Sequence, residues 1–221
     1  MNTKRWPVAP ERQRSRRAVV LGLGAGAIIG AMPSMTMAAA PENVLPRKLP
    51  KGLPTRLFGG PFDLIDHHGK ARTDQDFQGQ FMLLFFGYTY CPDICPTNLQ
   101  ALSAALDMSA PDVAGRVQPL FVSIDPDRDR PEVLKDYVSH FHPRLLGLTG
   151  TEAQVRRIAK AYRIHRSKVV TDATAPADDY LVNHSSLTYL MAPDGSFLTI
   201  FPHDTPADKI ATALRRYVPG G

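Results

Sequence analysis

The chain has 221 residues, 43% of them hydrophobic, with 26 Lys and Arg against 21 Asp and Glu and a formal charge of +5. Six of the basic residues (Lys4, Arg5, Arg12, Arg14, Arg16 and Arg17) and one acid (Glu11) precede residue 39, which leaves 20 and 20 in the remainder. The excess positive charge therefore belongs to the N-terminus: no basic stripe is left to bind nucleic acid, and the balanced part is long enough for one domain with a real core.

The basic stretch is followed by the apolar, Gly- and Ala-rich run Ala18 to Met32, shorter than the roughly 20 residues that a membrane span needs. It reads as a signal peptide for export to the periplasm, and Ser15-Arg16-Arg17 resembles a twin-arginine signal. Thr36 and Ala38 supply small residues at −3 and −1 of a cleavage point. The competing reading keeps residues 1–38 as an N-terminal anchor, with residues 18–40 tethering the protein to the inner membrane. Residues 39–58, rich in Pro, Lys and Arg without periodicity, read as a tether, and the domain proper is assigned to 59–221.

Within that domain, Phe62, Leu64 and the turn His67-His68-Gly69-Lys70 predict an N-terminal hairpin, and Thr73 with Asp76 caps a short helical turn. Phe81-Met82-Leu83-Leu84-Phe85-Phe86 is an unbroken apolar run closed by Gly87, the pattern of a central strand buried on both faces. It delivers the only two cysteines, Cys91 and Cys95, to a helix predicted over Thr97 to Met108. A strand over Val117 to Ile124 ends in Asp125-Pro126-Asp127-Arg128-Asp129-Arg130, after which Asp129 and Glu132 frame a helix to about Phe141. A third strand is expected at Leu145 to Leu148, and Thr151 with Gln154 forms a capping box for a helix through Tyr162. Arg166 to Asp179 has no period and is expected to be a long surface loop. Leu187 to Met191 and Phe197 to Phe201, joined by Pro193-Asp194-Gly195, predict a hairpin, and Thr205-Pro206 opens a last helix to about Tyr217. The alternation predicts an α/β domain with a mainly parallel central sheet, helices on both faces and the dithiol at the carboxyl ends of the strands, which is the thioredoxin-like arrangement.

A thiol at a helix N-terminus meets unpaired N–H groups and about half a positive charge, so it ionises more readily, and thiolate is the form that binds metals and exchanges disulfides. Residues four apart on a helical turn have Cα atoms about 6 Å apart, within the span of a disulfide. The pair can therefore chelate one ion or bond to itself. A purely structural bridge is the weaker reading, because closing so short a loop restricts the unfolded chain by only about 2 kcal/mol.

Gly59-Gly60-Pro61-Phe62, Gly87-Tyr88-Thr89-Tyr90-Cys91-Pro92-Asp93-Ile94-Cys95-Pro96, Val122-Ser123-Ile124-Asp125-Pro126-Asp127-Arg128-Asp129, Leu148-Thr149-Gly150-Thr151, and His184-Ser185-Ser186 with Tyr189-Leu190-Met191 and Asp194-Gly195 together resemble the Sco/SenC family. The resemblance runs from about Gly59 to the C-terminus. It implies a thioredoxin-like fold, a location outside the inner membrane, and copper binding in the service of the dinuclear CuA centre of cytochrome c oxidase subunit II. By motif position it implies Cys91, Cys95 and His184 as copper ligands. Two thiolates favour Cu(I), and an added neutral imidazole suits either Cu(I) or Cu(II).

A lone histidine is more often a surface or hydrogen-bonded core residue than a ligand, and His140 with His142 is a rival pair by spacing. His184 is expected to follow the long loop and immediately precede a strand, at the sheet edge beside the dithiol. Asp125, Asp127 and Asp129 read equally as helix-capping residues and as groups supporting a metal or a partner surface. Met82 and Met191 alternate in apolar strands and belong to the core, while Tyr88 and Tyr90 flank the cysteines. Two functions remain. One is a metallochaperone passing copper to partner cysteines; the other is a thiol-disulfide reductase acting on those cysteines, with Cys91 and Cys95 as its redox pair. Three residues between the cysteines, rather than two, favour copper. An oxidising compartment further implies a thiol reductant protein as a second partner.

Overall fold

A computed structural model describes residues 58–170, 174, 176 and 178–219, all within a unit spanning Val44–Gly221. The signal peptide or anchor at 1–38, and all of the tether before Phe58, lie outside the described residues. Among those described, no helix is long and apolar enough to cross a membrane.

Fifteen elements follow one another: β1 (Asp63–Asp66), β2 (Ala71–Thr73), a 3-10 turn (Asp74–Phe77), β3 (Phe81–Gly87), α1 (Ile94–Asp107), α2 (Pro111–Gly115), β4 (Val117–Ser123), α3 (Pro131–Ser139), β5 (Leu146–Thr149), α4 (Glu152–Ala161), β6 (Arg166–Val169), β7 (Leu181–His184), β8 (Leu187–Met191), β9 (Phe197–Pro202) and α5 (Ala207–Tyr217). Seven strands form one sheet in the order β2-β1-β5-β4-β3-β8-β9, and β6 and β7 form a separate two-stranded sheet.

The apolar run read as a central strand is β3, and all seven of its residues are buried. Each fully buried Leu or Phe there contributes about 1.5–3 kcal/mol of transfer free energy. The helices that cover the sheet are seated by their own apolar faces: α1 packs on α5, α3 on β5 and α4 on β1. Thr151 and Gln154 form the expected capping box on α4, as do Thr73 and Asp76 at the 3-10 turn. The N-terminal hairpin is present as β1 paired with β2. Its turn is held by the buried Asp66 carboxylate, which accepts from the N–H groups of His68 and Lys70 and from Arg72 Nε at 2.8 Å.

Parallel pairing is confined to the three central strands, β3 with β4 and β4 with β5. The strands flanking them run antiparallel: β1 to β5 and β2, and β8 to β3 and β9. The physical reason lies in the connections. Short turns such as Pro193-Asp194-Gly195 can only join antiparallel neighbours, whereas the α1–α2 and α3 crossovers bring the next strand back parallel.

Two local expectations change. Helix α1 starts three residues before Thr97, because Pro96 sits in its first turn, where a missing N–H costs no hydrogen bond. Part of the stretch expected as a surface loop is β6, which pairs with β7 from Arg166 opposite His184 to Val169 opposite Leu181. Three of the four β6 residues are exposed, so the strand has no apolar alternation to give it away.

The register places the site. Gly87 at the end of β3 lies opposite Ser123 at the end of β4, so the loop bearing Cys91 and the turn 124–130 leave the sheet side by side at its carboxyl edge. Ile124 N–H donates to Gly87 O at 2.9 Å and joins the two exits.

Candidate metal centre

Cys91 lies in the loop ahead of α1, and Cys95 in the first turn of that helix. Neither is in a disulfide. The Cys95 N–H donates to Cys91 Sγ at 3.4 Å, so Cys91 receives the N-terminal field of the helix as the sequence suggested. Cys95 is fully buried and Cys91 nearly so.

The two sulfurs are not equivalent. The Cys91 thiol is pushed far down, first by the hydrogen bond it accepts from the Cys95 thiol and then, against the cost of burial, by the backbone N–H of Cys95. Cys95 is pushed up for the reciprocal reason: it keeps the shared proton, and its burial disfavours charge. One thiolate and one thiol is thus the metal-free state of the reduced pair.

His184 is itself the last residue of a strand, β7, where the sequence suggested a loop position immediately before one; β8 follows from Leu187. Its Nε2 stands 3.6 Å from Cys95 Sγ, and its Nδ1 lies 3.2 Å from the carbonyl oxygen of Ser185. A carbonyl only accepts, so this contact needs Nδ1–H and leaves the lone pair on Nε2, facing the sulfurs. Ligand histidines are oriented in the same way by the hydrogen bond of their other nitrogen. Tyr88 meets the imidazole edge to face, with ring centroids 5.8 Å apart, and Phe85 is 6.5 Å away.

The donor atoms of Cys91, Cys95 and His184 lie within 4.8 Å of one another, and among the described residues no other group of three such side chains is gathered. Two sulfurs and one imidazole nitrogen form a soft donor set that fits copper. The rival histidines are engaged elsewhere: His140 Nδ1 lies 2.9 Å from Asp136 O, and His142 sits 3.8 Å from the Asp107 carboxylate. Met82 and Met191 are buried opposite one another on β3 and β8, so they are core residues.

The acidic turn caps nothing, since α3 is preceded by Arg130 with no side-chain cap. Instead each acid reaches a different segment. The Asp129 carboxylate accepts from Thr89 N–H at 3.1 Å, Thr89 Oγ1 at 2.6 Å and Ser123 Oγ at 2.7 Å, and so grips the loop that carries Cys91. Asp125 accepts from Tyr180, and Asp127 from Lys168. Sequence reasoning did not find Tyr180 or Thr89, because neither their spacing nor their neighbours mark them.

A groove of about 340 Å³ opens over the site, with Cys91 and His184 in its wall beside Ile94, Val169 and Leu181. Those three are among only six large apolar side chains exposed in the described residues, so the groove gathers half of them. A larger cavity of about 630 Å³, lined by Asp127, Glu152, Arg156 and Arg166, lies between α4 and β6 and contains neither cysteine.

The SCO1/SenC family model matches residues 51–219. Protein sco1 of Schizosaccharomyces pombe is 41% identical over 179 residues, covering 80% of this chain and 68% of that protein. The mitochondrial SCO1 homolog of Homo sapiens is 37% identical over 206 residues, covering 91% of this chain and 65% of that protein. The structure of Bradyrhizobium japonicum ScoI with copper bound superposes with a TM-score of 0.66 at 42% identity, over 72% of this chain and 99% of that one. With the family model matching across the whole described region, the fold is the thioredoxin-like fold of the Sco structures, and the chain belongs to the SCO1/SenC family.

Proposed function

We propose that this protein binds copper through Cys91, Cys95 and His184 and passes it by ligand exchange to the cysteines of the CuA centre of cytochrome c oxidase subunit II. The observation that carries this reading is the convergence of two sulfurs and a correctly oriented imidazole nitrogen within 4.8 Å. The copper-bound ScoI structure, at 42% identity, supports the choice of metal.

Loading converts the Cys95 thiol to thiolate with release of its proton, while Cys91 is already ionised. Cu(I) with two thiolates and a neutral imidazole then carries a net charge of −1. The groove gives an incoming thiolate access to the Cys91 and His184 side of the ion. Three-coordinate Cu(I) accepts a further soft donor before it gives one up, so the ion need never be free.

The sulfur asymmetry supports a second reading, reduction of the partner's disulfide. The Cys91 thiolate attacks one partner sulfur and releases the other as thiolate. Cys95 then loses its proton and displaces the first, which leaves a Cys91–Cys95 disulfide and two reduced partner cysteines. In that reading a separate dithiol protein must reduce the pair again.

The chain acts outside the inner membrane, exported by residues 1–38 and either released or held by residues 18–40. Cell fractionation reads that directly, and a protein confined to the cytosol would overturn it. The function is tested by copper analysis of the reduced protein. One copper per chain, lost in the Cys91→Ser and Cys95→Ser double variant and transferred to the reduced partner domain, is the expected result. Transfer of electrons alone to the oxidised partner, without stoichiometric copper, would select the reductase.

A further inference from the structure

The hairpin that carries His184 is not hydrogen-bonded into the seven-stranded sheet, so the distance between imidazole and dithiol is not set by a strand ladder. Arg128, in the turn after β4, joins the pieces instead. Its side chain is only 10% exposed, and its Nε donates to Asp125 Oδ2 at 2.6 Å. Its Nη1 donates to the carbonyl oxygens of Asp178 at 3.0 Å and Tyr180 at 2.9 Å, just before β7. Its Nη2 is buried and, among the described residues, has no hydrogen-bond partner. The guanidinium carbon lies 3.7 Å from the ring centroid of Tyr180, 4.7 Å from Tyr90 and 5.8 Å from Tyr88, all within the reach of a cation–π attraction.

Tyr180 closes the cluster by donating its hydroxyl to Asp125 Oδ1 at 2.7 Å. Tyr88 in turn touches the His184 ring and is met at its hydroxyl by the backbone of Val182. One guanidinium therefore contacts the loop that leads to Cys91, the turn after β4 and the chain that leads to His184. Other ties also hold the hairpin: Lys168 to Asp127, Arg166 to Glu152, and, next to His184, Ser185 N–H to His165 O. They place the hairpin, but none reaches both ligand-bearing segments.

We propose that Arg128 is a positioning residue that holds the His184 arm at its working distance from the dithiol, acting through Tyr88 and Tyr180 and touching no ligand itself. The job needs a planar group that donates in its plane and stacks on its faces, which a lysine ammonium cannot do. The consequence for copper rests on the copper-binding reading above; the consequence for the arm does not.

The test uses the full-length reduced protein and the variants Arg128→Lys, His184→Ala and the two combined. In the metal-free protein, amide hydrogen exchange at 181–184 is expected to quicken by at least about tenfold in Arg128→Lys while β3 and β4 keep the parental rates. With copper added, Arg128→Lys is expected to lose at least about tenfold in Cu(II) affinity, together with the imidazole nitrogen coupling in its electron paramagnetic resonance spectrum, and less than about threefold in Cu(I) affinity. The double variant should bind Cu(II) no worse than His184→Ala alone, because a residue acting through His184 has nothing left to position. Unchanged exchange at 181–184, exchange quickened equally in β3, or additive losses in the double variant would each overturn the proposal. A parent that binds no copper would remove the copper-binding reading, and the exchange measurement would still decide the role of Arg128.

Discussion

Replacing Gly87 with Ala tests whether the end of β3 is shaped to seat the Cys95 sulfur. A Cβ at this position would lie 2.7 Å from Cys95 Sγ, 2.9 Å from a ring carbon of Phe121 and 3.0 Å from one of Phe85. Both rings are fully buried in the sheet core and must give by a few tenths of an ångström, whereas the sulfur, the nearest atom, swings on a single torsion and yields most. Ordinary contact begins near 3.4 Å, so the sulfur must withdraw by about 0.7 Å. Metal–donor distances tolerate only about 0.2 Å. Gly87→Ala should therefore lower Cu(I) affinity by about 10–100-fold, the range found when the support of a ligand is removed. Overpacking should also cost about 1–3 kcal/mol of stability. Competition against a chromophoric Cu(I) chelator under anaerobic, reducing conditions reads the first quantity, and urea denaturation of the metal-free protein reads the second. A variant that is destabilised yet keeps parental Cu(I) affinity would refute the reasoning, because the strain would then have been taken up away from the sulfur.

His184→Ala should lose Cu(II) before Cu(I), since two thiolates alone satisfy the softer ion, and should unfold within about 1 kcal/mol of the parent; equal binding of both ions in a titration would remove His184 from the site. From pH 7 to 9 the Cu(I) affinity of the parent should rise with a slope of one proton per ion, because Cys91, lowered to about 4, is already ionised and only Cys95 has a proton to give up. A slope of two, measured with the same chelator, would mean that Cys91 is not ionised before the metal binds. Asp66→Asn should cost about 2 kcal/mol at pH 7 in urea denaturation, because it leaves Arg72 and two backbone N–H groups without their carboxylate. Burial pushes the Asp66 carboxyl up, but Arg72 and those N–H groups outweigh it and hold its pKa below 3.8. The stability it contributes is thus present above that value and is lost as pH falls through the folded pKa, so parent and variant should converge only on the acid side of the ordinary carboxylate range.

What could be read in the sequence was what repeats locally. The run Phe81 to Gly87 announced a strand buried on both faces because every residue in it is apolar, and the Thr151–Gln154 box announced α4 because its two partners are three residues apart. Helix α2, five residues long, is too short to show a helical period. The β6–β7 hairpin was hidden for a different reason: a two-stranded ribbon with exposed residues has no buried face to impose alternation on Arg166–Val169. The turn Asp125 to Asp129 read equally as a capping segment and as support for a metal or a partner surface, since its composition suits either. Its actual partners, Thr89, Lys168 and Tyr180, are 40, 41 and 55 positions away in sequence, and nothing local encodes such pairings. His184 could not be chosen from among seven histidines by spacing alone; the family resemblance singled it out, and the fold brought it to the sulfurs.

If copper is passed on as proposed, the same geometry sets the order in which its ligands would exchange. Cys95 is fully buried, packed against the end of β3 and hydrogen-bonded within the first turn of α1, whereas Cys91 and His184 line the groove. An acceptor thiolate arriving there can displace the imidazole without moving any backbone, since His184 stands at the end of a two-stranded arm. Cys91, on a loop pinned by Asp129 through Thr89, is the next ligand within its reach. Cys95 can be released only last, when the ion already has two donors from the partner. In the redox reading the order is mirrored: Cys91 forms the mixed disulfide in the groove, and Cys95 resolves it from below. One arrangement of two unequal sulfurs would thus suit either of the proposed chemistries. What separates them is whether a soft ion fills the space between the sulfurs and the imidazole, where the Nδ1–H to Ser185 contact keeps a lone pair aimed at it.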